Sequence, residues 1–285
     1  MYTKSKKSGI AIGLLFFSAA SMAQSHEFGF AAGAGYGGLR YNVKGEESKL
    51  KPTVNFGLSY TWLCKAGWGL HTGIQLGFMR TETALPGNTV YISNAVDNEN
   101  EGFELRVQQK GYAETQKLYT LDIPLMLQWQ TTSKSKTAFY ARAGGKFSVP
   151  VKRSFDATAA ELTTTGYYPA YNVELANLPQ FGFGTKQNWK YEGDFDLKTS
   201  IALAAEAGAK ISIGKTRSLY AGAYLDYGLT DMRKQNDNNS FFQYSASGFD
   251  NTKASSLLNR PEVDGSIRMI SYGIRLQYAF GLNCK

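Results

Sequence analysis

Two histidines and two cysteines are the only imidazole and thiol groups among 285 residues. His71 sits on the polar parity of an alternating stretch, only four positions beyond the tight turn at 64–67. A catalytic triad would need an orienting acid and a nucleophile beside it at the same height. That position is low in the barrel and far from the outer-leaflet side, so His71 reads as an interior hydrogen-bonding side chain. His26 is too far along the chain to share a metal with it. The chain is therefore expected to be non-enzymatic, with no cofactor and no metal.

A second set shares a different property. Asp122, Arg142, Lys146, Glu206, Asp226 and Arg275 each fall on the polar side of a segment in which apolar and polar residues alternate. Their signs are mixed, as buried charges must be if they are to pair. They form either an interior salt-bridge network or a gated ion path, and the network is favoured. Cys64 lies in a tight turn and Cys284 in the tail after the last alternating segment. Both would lie on one side of a membrane, in a compartment that permits disulfides. The strand bases beneath them are separated by one intervening strand, about 10 Å. A bridge needs Cα atoms within roughly 7 Å. Both segments extend past the strand ends, so the pairing is left open. A third group is aromatic: Tyr167, Tyr168, Tyr171, Phe181, Phe183 and Trp189 crowd one long polar stretch, and Phe241, Phe242, Tyr244 and Phe249 another. These rings either present a recognition surface or pack on each other as a cap.

The elements that must position these residues are strands. In 118–130, Tyr119, Leu121, Ile123, Leu125, Leu127 and Trp129 alternate with Thr120, Asp122, Pro124, Met126 and Gln128. Period-2 alternation over this length is a strand with one apolar face, long enough to cross a bilayer and ending in an interfacial Trp. The same pattern recurs at 28–40, 53–63, 68–80, 137–151, 197–213, 219–229 and 267–280, giving eight strands. Tight turns alternate with long loops, at about 82–116, 153–196 and 231–266. This spacing predicts an eight-stranded antiparallel transmembrane β-barrel with tight periplasmic turns and long extracellular loops. The apolar parity must face lipid, because so narrow a barrel is filled by its own side chains. Trp62, Trp68, Trp129, Phe139, Tyr278 and Phe280 gather at the turn end as a girdle. Pro124 lies between neighbours on both sides, where a missing N–H predicts a local break in pairing.

Residues 1–23 read as a secretory signal, with Lys4, Lys6 and Lys7 before a short apolar run and Ser21-Met22-Ala23 at the cut. Residues 24–285 form the expected single barrel domain. The net charge of +8 includes the three leader lysines. In an exported protein it points to anionic headgroups, polysaccharide or simple solubility rather than nucleic acid.

The segments LYTLDIPLMLQW (118–129), LYAGAYLDYGL (219–229) and ISYGIRLQYAFG (270–281) resemble the small bacterial outer-membrane β-barrel domains of the OmpA/OmpX-like and PorT-like kind, across nearly all of the mature chain. The resemblance implies a location in the Gram-negative outer membrane. It implies little about activity, because the group is functionally varied. The expected function is a surface-binding, shielding or envelope-structural role through the aromatic loops. Expected partners are outer-membrane lipid and an envelope protein, surface glycan or host protein. The alternatives are a narrow pore or an accessory of a secretion system and, third, a lipid-modifying enzyme dependent on His71.

Overall fold

A computed structural model of the protein describes residues 25–43, 46–64, 66–132, 135–234, 241–245, 248–249, 253–259 and 263–282. The leader expected at 1–23 lies outside these residues. Eight long strands form a closed ring: β1 Ser25–Val43, β2 Lys49–Leu63, β3 Trp68–Ala84, β4 Ala113–Gln130, β5 Thr137–Tyr168, β6 Ser200–Ser212, β7 Arg217–Gly228 and β8 Val263–Leu282. Each pairs antiparallel with the next, and β8 returns to β1. Closure leaves no unpaired backbone edge in the ring, the condition for strands to cross a lipid phase.

The outer face is apolar over a limited height. Phe30, Leu58, Ile74, Leu125, Leu203 and Ile274 are all at least half exposed on it. Aromatic pairs bound this band. Trp129 packs on Phe139, and Tyr278 on Phe280, at the turn end. Phe78 meets Tyr119, and Tyr36 stacks on Tyr272, nearer the long-loop end. From Tyr119 to Trp129 the strand covers about 33 Å, or about 25 Å of height at the usual tilt, which matches the apolar band of a membrane barrel.

Above this band the polarity of the two faces inverts. Inside the ring β1 carries glycines and alanine up to Gly37, then Leu39, Tyr41 and Val43, all buried. β8 switches in the same way, from Arg275 and Ser271 to Met269, Ile267 and Val263. β5 changes from Arg142 and Lys146 to Phe155, Ala157, Ala159 and Leu162. Where lipid bathes the ring, its interior holds the polar groups. Where water bathes it, the interior becomes an ordinary hydrophobic core.

The segments read as loops are largely strand. β5 runs 32 residues, far past 151, and bends at Val151, where the register against β4 shifts. It pairs with Gly102–Lys110 on one side and Gly184–Asp194 on the other, and Asn88–Val96 adds to Gly102–Lys110. A four-stranded sheet thus stands above the barrel. Its inner face carries Phe103, Leu105, Val107, Phe183 and Trp189, and the third connection lays Phe241, Phe242, Leu257 and Leu258 over it. Gly166 permits this packing, because a Cβ there would meet the Phe183 ring within 2.7 Å.

Two local expectations resolve differently. Pro124 breaks the ladder on one side only. β3–β4 pairing lapses between Thr72–Leu125 and Gln75–Asp122, and Thr72 Oγ1 donates instead to the Pro124 carbonyl at 2.8 Å. Pairing with β5 continues through Pro124–Lys146. Leu197, expected on the outer face of the sixth strand, lies before that strand begins. It is 5 % exposed and packs into the upper core.

Candidate functional site

The interior charges collect into separate groups stacked along the barrel. Arg142 and Arg275 both bind Glu206, at 3.1 and 2.9 Å. Tyr140 donates to the same carboxylate at 2.7 Å. Arg142 also donates to Gln128 and Gln277, and its guanidinium lies over the rings of Tyr140 and Tyr220. Nearer the long-loop end Lys146 pairs with Asp226. Asp122 sits one row from Lys146 in the β4–β5 register but makes no ion pair among the described residues, and its Oδ1 lacks a hydrogen-bond partner. The six predicted charges thus form a triad, a pair and a lone acid.

One member escaped the sequence reading. Glu27 accepts from Lys210 at 2.6 Å and from the Tyr220 hydroxyl at 2.5 Å, forming a third group at the turn end. The signal was present: Glu27 shares the parity of Gly29 and Ala31, but it stands beyond the apolar alternation that marked the strand. With Glu27 included, four buried acids face four buried bases inside the ring below the upper core, among the described residues. These side chains and the tyrosines fill it. At Gly222 a Cβ would stand 2.5 Å from the Tyr140 hydroxyl. His71 is 2 % exposed and exchanges a 2.8 Å hydrogen bond with Thr61 through Nδ1. Cys64 makes no disulfide among the described residues, and Cys284, its candidate partner, lies outside them.

The aromatic residues of the second long segment divide. Tyr168, Phe183 and Trp189 turn inward, with Tyr168 stacked on Phe103 at 5.1 Å. Tyr167 stands half-buried on the outer face under the Arg106 guanidinium, 4.2 Å from its ring centre. Tyr171 and Phe181 remain 61 % and 52 % exposed. Together with Tyr168, Val173, Leu178 and Tyr244 they wall a cleft of about 380 Å³ at the tip of the upper sheet. Its rim is the turn holding Asp97, Glu99 and Glu101. Asp97 is fixed by the N–H groups of Glu99 and Glu101 and by the Tyr168 hydroxyl at 2.9 Å. Tyr171 donates to Glu101 at 2.6 Å. Partial burial raises the Asp97 carboxyl, but these donors outweigh it and hold the group below the ordinary aspartate value. The cleft thus joins aromatic faces to acceptor oxygens, with no basic side chain in its wall among the described residues.

Solved structures of small membrane barrels are similar in outline. OprG of Pseudomonas aeruginosa shares 10 % identity, over 92 % of this chain and 97 % of its own, with a TM-score of 0.39. Neisserial surface protein A shares 10 %, over 89 % and 95 %, with a TM-score of 0.32. Ail of Yersinia pestis, solved with the heparin analogue sucrose octasulfate, shares 9 %, over 90 % and 99 %, with a TM-score of 0.26. No curated protein matches the chain. The sequence model of the outer membrane protein beta-barrel domain matches residues 22–234, three-quarters of the sequence. With its closed ring of eight antiparallel strands and its lipid-facing apolar band, the chain belongs to the outer membrane protein beta-barrel domain family and is an outer-membrane protein.

Proposed function

We propose that this outer-membrane barrel is a non-enzymatic surface protein that binds a partner through the aromatic cleft at the tip of its extracellular sheet. The observation that carries this reading is the exposure of Tyr171 and Phe181 beside buried neighbours of the same segment. Rings that serve only as a cap turn inward, as Tyr168, Phe183 and Trp189 do. A cleft of this size, apolar with a few convergent polar groups, suits a small molecule or a side chain of a larger partner. Its acceptors favour ligands that donate hydrogen bonds, such as amines and sugar hydroxyls. The paired, ring-filled interior supports a plugged barrel over a pore, and the burial of His71 beside Thr61 speaks against a catalytic role.

The test is a Tyr171→Ala/Phe181→Ala protein in outer-membrane preparations, compared with wild type on arrays of glycans and of amine-bearing ligands. Both residues are surface-exposed, so the variant should fold. Removing 157–191 instead would take out Ala157, Ala159, Leu162, Phe183 and Trp189 from the core and confound the result. Loss of wild-type binding in the double variant supports the reading. Identical binding profiles, or none in either protein, would overturn it.

A further inference from the structure

The outer face of the barrel carries a charge arrangement that folding alone does not explain. Arg80 on β3 and Lys117 on β4 are direct register partners, and so are Arg40 on β1 and Arg268 on β8. All four lie on the lipid-facing parity. Each pair stands on the extracellular side of an aromatic pair, two residues beyond Phe78–Tyr119 and four beyond Tyr36–Tyr272. Like charges directly opposite on neighbouring strands repel unless a counter-charge lies between them.

The protein supplies only part of that counter-charge. Lys117 pairs with Asp156, Lys51 with Glu82, and Arg40 with Glu47. Arg268 has a 3.4 Å contact to the Tyr227 hydroxyl, while its Nε is buried without a partner. Arg80 makes no ion pair among the described residues. Among the described residues Lys152 meets the face of Tyr119, at 5.8 Å, and no carboxylate.

The shape beside Arg80 is equally specific. A groove of about 490 Å³ opens on the outer face, with Lys51, Arg80, Lys117 and the carboxylate of Glu82 at its extracellular end. Pro52, Val54, Phe78 and Tyr119 form the floor towards the membrane. With Glu82 paired to Lys51 the mouth keeps a net positive charge over an apolar floor, and placed where the apolar band ends this is the complement of an amphiphile with an anionic head. Free phosphate would satisfy the mouth but leave the floor unused.

We infer that the Arg80–Lys117 groove holds the phosphorylated headgroup of an outer-leaflet lipid, with its acyl chain lying along Val54 and Phe78. The phosphate takes charge-assisted hydrogen bonds from both cations and relieves their repulsion. The Arg40–Arg268 pair, in a separate cleft of about 360 Å³ with Tyr227 and Glu47, repeats the charge logic on another part of the rim. This site lies on the barrel wall and does not depend on the cleft at the tip.

The experiment is native mass spectrometry of the full chain, released from detergent after incubation with lipid A, phosphatidylglycerol or phosphatidylcholine. Wild type should retain lipid A and prefer it over phosphatidylcholine. Arg80→Gln should weaken retention about tenfold, the worth of one hydrogen bond to a charged group, and Arg80→Gln/Lys117→Gln should abolish the preference. Arg80 has no ion pair among the described residues, so the single variant keeps its heat-modifiable gel mobility. Inorganic phosphate at millimolar concentration should not displace the lipid. Equal retention of phosphatidylcholine, or unchanged retention in the variants, overturns the inference. Displacement by inorganic phosphate shows a bare anion site and overturns the lipid assignment.

Discussion

The Glu114 carboxylate accepts the backbone N–H of Leu257 at 2.9 Å, across 143 positions of sequence. The same carboxylate takes Ser256 Oγ at 2.5 Å, Gln116 Nε2 at 2.8 Å and the Tyr112 hydroxyl at 3.0 Å. It sits in β4 above the membrane band, wholly buried, and ties the third connection into the upper core. Four donors converge on it, so Glu114→Gln would turn an amide N–H towards one of them. Glu114→Ala would strand all four. Either change should cost about 1–3 kcal/mol, visible as faster hydrogen exchange at Leu257 and Leu258 and easier proteolysis around 241–258, with the barrel intact.

The same clamp should depend on pH. Burial raises the Glu114 carboxyl above its ordinary value of 4.5, against the lowering effect of its four donors. The folded state therefore binds more protons than the unfolded one between 4.5 and the raised value. Its contribution to stability is full below 4.5 and falls as pH rises through the folded value. Exchange protection at Leu257, corrected for intrinsic rates, should decline over that window in wild type. A Glu114→Gln protein should show no such slope.

Glu206 is the hub of the interior triad. Glu206→Ala would leave Arg142 and Arg275 buried without their shared counter-charge, at a cost of about 3–5 kcal/mol. The check is the denaturant midpoint of the reconstituted barrel, read from heat-modifiable mobility. A shift below about 1 kcal/mol would mean that water already reaches these guanidiniums.

In planar bilayers the purified protein should give no stable conductance steps. Arg142, Tyr140 and Tyr220 fill the ring at the triad, and Lys210 with Glu27 closes it below. Glu27→Ala/Lys210→Ala removes only the lower group, so it too should stay closed. Regular steps in wild type would favour transport.

Pro124 faces a gap in the β3 ladder, not a lost bond in an otherwise continuous one. Pro124→Ala keeps the Thr72 contact to the carbonyl and should change stability by less than about 0.5 kcal/mol. A large loss would show that proline's rigidity, not its missing donor, shapes this stretch.

The membrane half of this fold is written in local pattern. Within lipid the apolar side of a strand must face outward, so alternation in 118–130 or 219–229 indicates both strand and orientation, and the need to pair every strand edge in lipid implies closure. The charges at Arg142, Glu206 and Arg275 follow from the same parity. The upper sheet is less legible because its apolar residues point the other way. Phe155, Ala157 and Leu162 continue the alternation of β5 in inverted sense, diluted by Thr, Ala and Gly, and the pattern alone does not say which face meets water. Nor does it show which distant residues become neighbours. Glu27 meets Lys210 across 183 positions, and Glu114 meets Ser256 across 142, because ring closure and strand stagger set the height of each inward side chain. Sequence by itself determined the class of fold, its membrane and the polarity of its interior. Tertiary structure decided which charges pair, which aromatic rings are core and which stay exposed, because those outcomes depend on register between strands far apart in the chain.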